Sequence, residues 1–171
     1  MENFNNEIIN TKQLPMFEEV QYTSLHQNFW KVTLLNYAIF AVILGIALVL
    51  GLLYNDEMKP NQTTFIFIYL VLLLVTLFFL RIGFKKKGYA FRNHDVLYRS
   101  GVIATNSMVI PYNRVQHVAL HEGLISRIFG LAKVQIFTAG GSSSDLEIPG
   151  IPKEEAENIK QLLMGKIQKQ L

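Results

Sequence analysis

VTLLNYAIFAVILGIALVLGLLY (Val32–Tyr54) and TTFIFIYLVLLLVTLFFL (Thr63–Leu80) are two long apolar runs without a charged residue. They contain 23 and 18 residues, and as helices they would reach roughly 34 and 27 Å at a rise of about 1.5 Å per residue. The hydrocarbon core of a bilayer is about 30 Å thick. The runs therefore predict a hairpin of two transmembrane helices. Two core helices of a soluble protein are the alternative, but a chain of 171 residues could hardly cover both.

The hairpin divides the chain into parts with different compositions. We predict a cytoplasmic N-terminal segment over residues 1–31, the hairpin over 32–80 and a basic juxtamembrane linker over 81–87. Residues 88–171 are then long enough for one small domain. The whole chain is 17% charged, against about 25% in ordinary soluble domains.

The distribution of charge predicts how the hairpin is oriented. Residues 1–31 carry a net charge of −2, the hairpin loop 55–62 carries −1, and residues 81–171 carry +6. Basic residues next to spanning helices favour the cytoplasmic side. We therefore expect both termini in the cytoplasm and the loop outside, in a multi-pass membrane protein. The same rule accounts for the basic cluster without a nucleic-acid partner.

The spans themselves indicate an anchor. Neither contains Asp, Glu, Lys, Arg or His, the residues that usually mark ion paths and proton relays. A transporter or pump built from this chain alone is therefore disfavoured. Ala38, Ala41 and Gly45 share one helical face, where small residues favour close packing on the second helix.

The sequence changes period at Gly88. Short β-branched and aromatic runs separated by turn residues predict strands, and a later stretch with apolar residues three and four apart predicts a helix. The predicted strands cover 88–92, 95–103, 133–139 and 145–149, with an extended stretch 107–120 interrupted at Pro111, a short helical turn within 121–131 ended by Gly130, and a C-terminal helix over 152–169. The apolar stripe of that helix includes Ala156, Ile159, Leu163 and Ile167.

This order of elements, with particular short motifs, resembles the bacterial pleckstrin-homology-like domains of the second type. The motifs are Ile110-Pro111, Arg114-Val115-Gln116, Leu124, Arg127, Phe129-Gly130-Leu131-Ala132 and Thr138-Ala139-Gly140. The helix pair and the upstream segment Leu14–Val20 are similar to the short, two-span subgroup of these membrane proteins.

The resemblance implies a membrane α-hairpin followed by an α+β PH-like domain, in which a curved antiparallel sheet or small barrel is closed by a C-terminal helix. It also implies a bacterial cytoplasmic-membrane location and a membrane protein partner such as a longer multi-domain relative. It brings no reaction and no catalytic residue.

Two groups of residues could suggest metal binding or catalysis, but their sequence context disfavours both. His117 and His121, beside Glu122, have a metal-binding spacing only on a helix, and His117 lies in a strand pattern. Ser142 to Ser144 with Asp145 lack the surroundings of a nucleophile and fit a hairpin loop, although such a loop could offer N–H groups to a phosphate. We expect no catalytic residue, no metal and no cofactor.

Two groups of residues remain as candidate binding sites. Arg81, Lys85, Lys86, Lys87 and Arg92 form a basic patch that either binds anionic lipid headgroups or serves only as a topology signal. Arg114 and Gln116 flank Val115 and are candidate interface residues, or, for Arg114, an ion-pair partner.

The sequence thus favours a non-enzymatic, membrane-anchored binding or scaffolding module that assembles with a membrane protein. An anionic-lipid sensor is the alternative, and a small enzyme is the least favoured reading.

The orientation of the hairpin can be measured directly because the chain contains no cysteine. We expect Asn61→Cys, in the loop, to react with a membrane-impermeant maleimide on whole cells. Asn93→Cys, in the C-terminal domain, should react only after lysis. Labelling of Asn61→Cys only after lysis would contradict the predicted orientation.

Overall fold

The computed structural model describes residues 20–139 and 145–168. Two long helices, α1 (Gln27–Tyr54) and α2 (Gln62–Lys86), form an antiparallel pair joined by a turn that includes a 3-10 segment, Lys59–Asn61. Both helices extend beyond the predicted spans at the end next to the C-terminal domain. α1 begins at Gln27, with the His26 ring accepting a hydrogen bond from the N–H of Asn28, and α2 continues through most of the predicted linker.

The helices extend because no residue interrupts them where they leave the apolar run. At 28 and 25 residues they are about 42 and 37 Å long, so their ends reach past a hydrocarbon core of about 30 Å into the headgroup layer. The most apolar stretch of each helix has none of its residues buried inside the protein. The alternative of two soluble-core helices is therefore wrong for the described chain.

Two tyrosines link the helices through reciprocal hydrogen bonds. Tyr37 of α1 donates its hydroxyl to the carbonyl of Leu73 at 2.6 Å, and Tyr69 of α2 donates to the carbonyl of Ala41 at 2.8 Å. A Cβ at Gly45 would lie 3.0 Å from the Tyr69 hydroxyl, so the glycine leaves room for this bond. The small residues Ala41 and Gly45 thus do permit close packing, whereas Ala38 is exposed.

Seven strands in two antiparallel sheets follow the expected α+β pattern. One sheet has the order β1-β2-β3-β4 and the other β5-β6-β7. The strands are β1 (Thr23–Ser24), β2 (Gly88–Phe91), β3 (Asp95–Ser100), β4 (Asn106–Pro111), β5 (Val115–His121), β6 (Leu131–Thr138) and β7 (Leu146–Pro152). A short helix, α3 (Leu124–Ile128), connects β5 to β6, and α4 (Lys153–Gln168) follows β7.

Several predicted boundaries need correction. β3 ends at Ser100 and not at Ile103, because Gly101 takes a φ of +128° and turns the chain. The extended stretch 107–120 is split after Pro111 by a 3-10 turn, Tyr112–Arg114, since proline cannot donate to a ladder. Pro152 ends β7 and α4 begins one residue later. Gly130, with a φ of +66°, does follow the short helix as predicted.

Helix α4 closes the domain core, as expected. Ala156, Ile159 and Leu163 are buried in the same cluster as the inward side chains of both sheets. The hydroxyl of Tyr89 on β2 also donates to a carboxylate oxygen of Glu155 at 2.8 Å. Leu162 stays exposed at the edge of the stripe. A two-helix hairpin with an antiparallel α+β domain and a C-terminal closing helix is therefore confirmed.

The domain begins before the hairpin, which the sequence reading missed. β1 lies in the predicted N-terminal segment and pairs with β2, Thr23 opposite Tyr89 and Ser24 opposite Gly88. Leu25 is 5% exposed and belongs to the domain core. A domain starting at Gly88 would lack this edge strand and this core side chain. The two-residue β1 is too short to carry a periodic signal.

The base of α1 is fixed onto the domain at a bulge in β7. The N–H of His26 donates to the carbonyl of Gly150 at 3.2 Å, and Gly150 has a φ of +69°. A Cβ at Gly150 would lie 2.5 Å from the Phe29 ring. Phe29 also packs on Phe84 at the base of α2, with ring centroids 6.4 Å apart. Helix pair and domain therefore share one packed junction.

This junction predicts different costs for two glycine substitutions. Gly130→Ala meets no atom within 4 Å and should cost only the left-handed backbone strain, about 1 kcal/mol of unfolding free energy. Gly150→Ala has the same strain plus the clash with Phe29 and should cost about 2–4 kcal/mol. Thermal unfolding in detergent checks both.

The matched background is Phe29→Ala. There, the added cost of Gly150→Ala should fall, because the ring atom 2.5 Å from the new Cβ is gone, but it should stay above that of Gly130→Ala, because the Cβ of residue 29 remains 2.6 Å away. Equal costs for the two glycine substitutions in the natural background would contradict the junction.

Candidate functional site

A cleft opens where the two helices meet the domain. Its volume is about 640 Å³, and it lies between the domain-side halves of α1 and α2 and the end of β3. The lining is mostly aromatic and aliphatic. It comprises Phe29, Thr33, Tyr37, Phe40, Thr76, Phe79, Leu80, Gly83, Phe84, Lys87, Ser100, Gly101 and Val102. A cavity of this size is typical of small-molecule sites in proteins.

The three hydroxyls that the helices contribute to the cleft are hydrogen-bonded to backbone carbonyls. Thr33 donates to the carbonyl of Phe29 at 2.9 Å, and Thr76 donates to that of Leu72 at 2.7 Å. Tyr37 donates to the carbonyl of Leu73. The Tyr37 bond joins the two helices, whereas the two threonine bonds lie within α1 and within α2.

Lys87 is the charged group of the cleft. It caps the end of α2, and within residues 20–139 and 145–168 its ammonium group has neither a hydrogen-bond acceptor nor an ion-pair partner. Burial lowers the pKa of Lys87 below its ordinary value, because desolvation disfavours the charged form. An anion in the cleft would offset that cost.

The other members of the predicted basic patch take different positions. The Arg81 guanidinium lies 4.7 Å from the centre of the Trp30 ring, a cation–π contact at the base of the helices. Lys86 donates to the carbonyl of Val102 at 2.6 Å, whereas Lys85 is exposed. Arg92 lies at the far end of β2 and forms a two-bond ion pair with Asp95, so it does not join the group around the cleft.

Arg99 is a basic residue near the cleft that the sequence reading did not single out. It pairs across the sheet with Gly88, the residue after Lys87, and its guanidinium lies 4.5 Å from the centre of the Tyr22 ring. Side chains alternate along a strand, so the sequence could have placed Arg99 on the same face of β3 as the buried Leu97. Its position next to Gly88 follows only from the register between β2 and β3.

Arg114 and Gln116 are both exposed, and Val115 between them is 6% exposed, as the alternation predicted. Gln116 lies at a bulge of the β5–β6 ladder. Arg114 borders a second cavity of about 510 Å³ together with Thr138 and Asp145. Their role as interface residues stays a prediction.

The histidine pair and the serine–aspartate group do not form a catalytic or metal-binding arrangement among the described residues. His117 and His121 lie on β5, and the His117 ring stacks on Phe137 at 4.1 Å. Within the described ranges, no three His, Asp or Glu side chains come together as metal ligands. Ser142 to Ser144 lie outside the described residues. Asp145 accepts hydrogen bonds from both the N–H and the hydroxyl of Thr138, which lowers its pKa.

The sequence model of the family described as Bacterial PH domain matches residues 30–167. The chain belongs to this family. The match includes nearly all of the helix pair, strands β2 to β7 and α4 to residue 167. The expected resemblance to membrane proteins with a bacterial PH-like domain is therefore confirmed.

Two curated relatives, both from Bacillus subtilis (strain 168), are transmembrane proteins. UPF0699 transmembrane protein YdbS is 31% identical over 88 residues, which cover 51% of this chain and 54% of YdbS. UPF0699 transmembrane protein YdbT is 34% identical over 85 residues, 48% of this chain but only 17% of YdbT. The matched segment therefore spans about half of one relative and a small part of the other. No solved structure matches the chain.

Proposed function

We propose that this chain is a non-enzymatic, membrane-anchored PH-like binding module whose cleft holds an anionic phospholipid. The observation that carries the proposal is Lys87, a partly buried cation without a partner among the described residues, at the end of an apolar cleft. An acyl chain suits walls such as Phe40, Phe79 and Leu80, and a phosphate group suits the ammonium. An uncharged lipid would leave Lys87 unpaired.

The basic residues around the cleft support a cytoplasmic position. Lys31, Lys85 and Lys86 surround the base of the helices, whereas the connecting turn carries only Lys59 against Asp56 and Glu57. Both termini then lie in the cytoplasm, and the module sits on the inner surface of a bacterial cytoplasmic membrane. Anionic lipids of that leaflet attract such clusters by about 1 kcal/mol per basic residue.

A binding role also suits the chemistry of the cleft. The hydroxyls of Thr33, Tyr37 and Thr76 are engaged with backbone carbonyls, and among the described residues the lining contains no carboxylate or imidazole.

Lys87→Met tests the lipid site. In nanodiscs with phosphatidylglycerol, the natural chain should melt at a higher temperature than in phosphatidylcholine, and Lys87→Met should lose most of that difference. In phosphatidylcholine the variant should be at least as stable as the natural chain, because a desolvated charge without a partner has been removed. Affinity for a phosphatidylglycerol probe should fall about fivefold, the equivalent of about 1 kcal/mol.

Lys85→Met is the matched control, with the same charge change on an exposed side chain. Its loss of affinity for phosphatidylglycerol should be smaller than that of Lys87→Met. This loss should vanish in high salt, because salt screens the diffuse attraction between a charged surface and the lipid. Equal, salt-sensitive losses in both variants would indicate a diffuse patch. A natural chain indifferent to phosphatidylglycerol would refute the lipid proposal.

A second candidate is assembly with a membrane protein partner, such as a longer multi-domain relative. The observation that favours it is that B. subtilis has a short and a far longer relative of this chain. The matched segment makes up 54% of YdbS but only 17% of YdbT. The outward side chains of both spans, among them Phe67 and Leu74, are also exposed on this single chain.

Affinity purification in a mild detergent from native membranes checks the partner. We expect a longer PH-like relative to elute with the tagged full-length chain at a fixed ratio and to resist a salt wash. An unrelated two-span protein with the same tag is the control. Elution of the chain alone would contradict this second candidate.

A further inference from the structure

Three apolar side chains outside the helix pair are unusually exposed. Ile103 is 90% exposed, Leu124 82% and Ile128 74%. These fractions exceed those of every exposed apolar side chain in the two spans except Tyr54. Moving an apolar side chain out of water is favourable, so leaving three of them exposed is costly in water.

Ile103 lies at the tip of the β3–β4 turn, which is held against the end of α2. The side chain of Val102 lies 3.1 Å from where a Gly83 Cβ would be, and the ammonium of Lys86 donates to the Val102 carbonyl. The turn therefore stands beside the last turns of α2, near Arg81, whose guanidinium lies over the Trp30 ring.

Leu124 and Ile128 are four residues apart on α3 and therefore share one face. α3 packs against α1. The residues that flank α3 contact Lys153, whose ammonium lies 3.0 Å from Glu122 and whose N–H donates to the Gly130 carbonyl. Because the base of α1 is fixed to β7 at Gly150, α3 lies beside that base and not at the far end of the domain.

Ile103 thus lies beside α2, and α3, which carries Leu124 and Ile128, lies beside α1. These two exposed apolar sites flank the helix pair. Exposed basic side chains accompany both, Lys85 on one side and Arg127 on the other. Apolar residues with adjacent cations are the composition of segments that lie in a bilayer interface. The lipid surface around the spans is continuous with this region of the domain.

We propose that Ile103, Leu124 and Ile128 insert into the same leaflet from which the two helices emerge, so that the domain rests on the bilayer at two points. The occupant of this apolar surface is the lipid bilayer. The inference rests on the membrane hairpin and does not depend on the selectivity of the Lys87 cleft, so either proposal can fail while the other holds.

The test uses single cysteines carrying nitroxide spin labels on the full-length chain in lipid nanodiscs. Labels at Ile103→Cys, Leu124→Cys and Ile128→Cys should collide more with oxygen, which concentrates in the bilayer, than with an aqueous nickel chelate. A label at Leu74, in the middle of α2, gives the membrane reference. The three sites are exposed, so the substitutions leave the core intact.

Leu162→Cys is the matched control, an exposed leucine on α4. It lies about 13 Å along α4 from Lys153, toward Lys166, which contacts the carbonyl of Asn93 in the β2–β3 turn. This label should favour the nickel chelate. The proposal is overturned if the three test labels behave like Leu162, or if both reagents are excluded from them, which would indicate a second protein chain on this surface.

Discussion

The structure depends on the contact between the base of α1 and the bulge of β7. His26 donates to the carbonyl of Gly150, and Phe29 occupies the space that any side chain at Gly150 would need. Through Phe84, the same contact includes the base of α2. A spanning hairpin joined only by flexible linkers would leave its domain free to tumble. Here the direction of the helices in the bilayer sets the orientation of the sheets and creates the cleft at their meeting point.

The helix pair is stabilised by few but specific interactions. In a bilayer, an apolar side chain gains little free energy when it exchanges lipid contacts for protein contacts. Helix association therefore relies on close packing and on hydrogen bonds between helices. Tyr37 and Tyr69 provide such bonds in both directions, each reaching a carbonyl on the opposite helix. Both lie on the faces toward the partner helix, and the outer faces are left to the bilayer or to another protein. The cleft adjoins this packing, since Tyr37 is one of its lining residues.

The sequence was sufficient to predict the helix pair, the strands from 88 onward and the closing face of α4, because long apolar runs and regular periods are local signals. It could not predict β1, since two residues have no period, nor the partition into two sheets, which depends on long-range pairing. The basic cluster was found from its position beside a span. Arg81 and Lys86 are engaged, Arg92 is remote, and Lys87 has no partner among the described residues. This division follows from tertiary contacts that residue spacing does not encode.

The position of β1 has a consequence for how the protein is made. Thr23 and Ser24 precede both spans in the chain, yet they pair with Tyr89 and Gly88, which follow both. This ladder can form only when the chain has crossed the membrane and returned to the side where it started. A molecule with one span inserted would keep β1 and Leu25 on the opposite side of the bilayer from the rest of the domain. The edge strand therefore makes completion of the domain conditional on correct insertion, and an incompletely inserted chain leaves the core without Leu25.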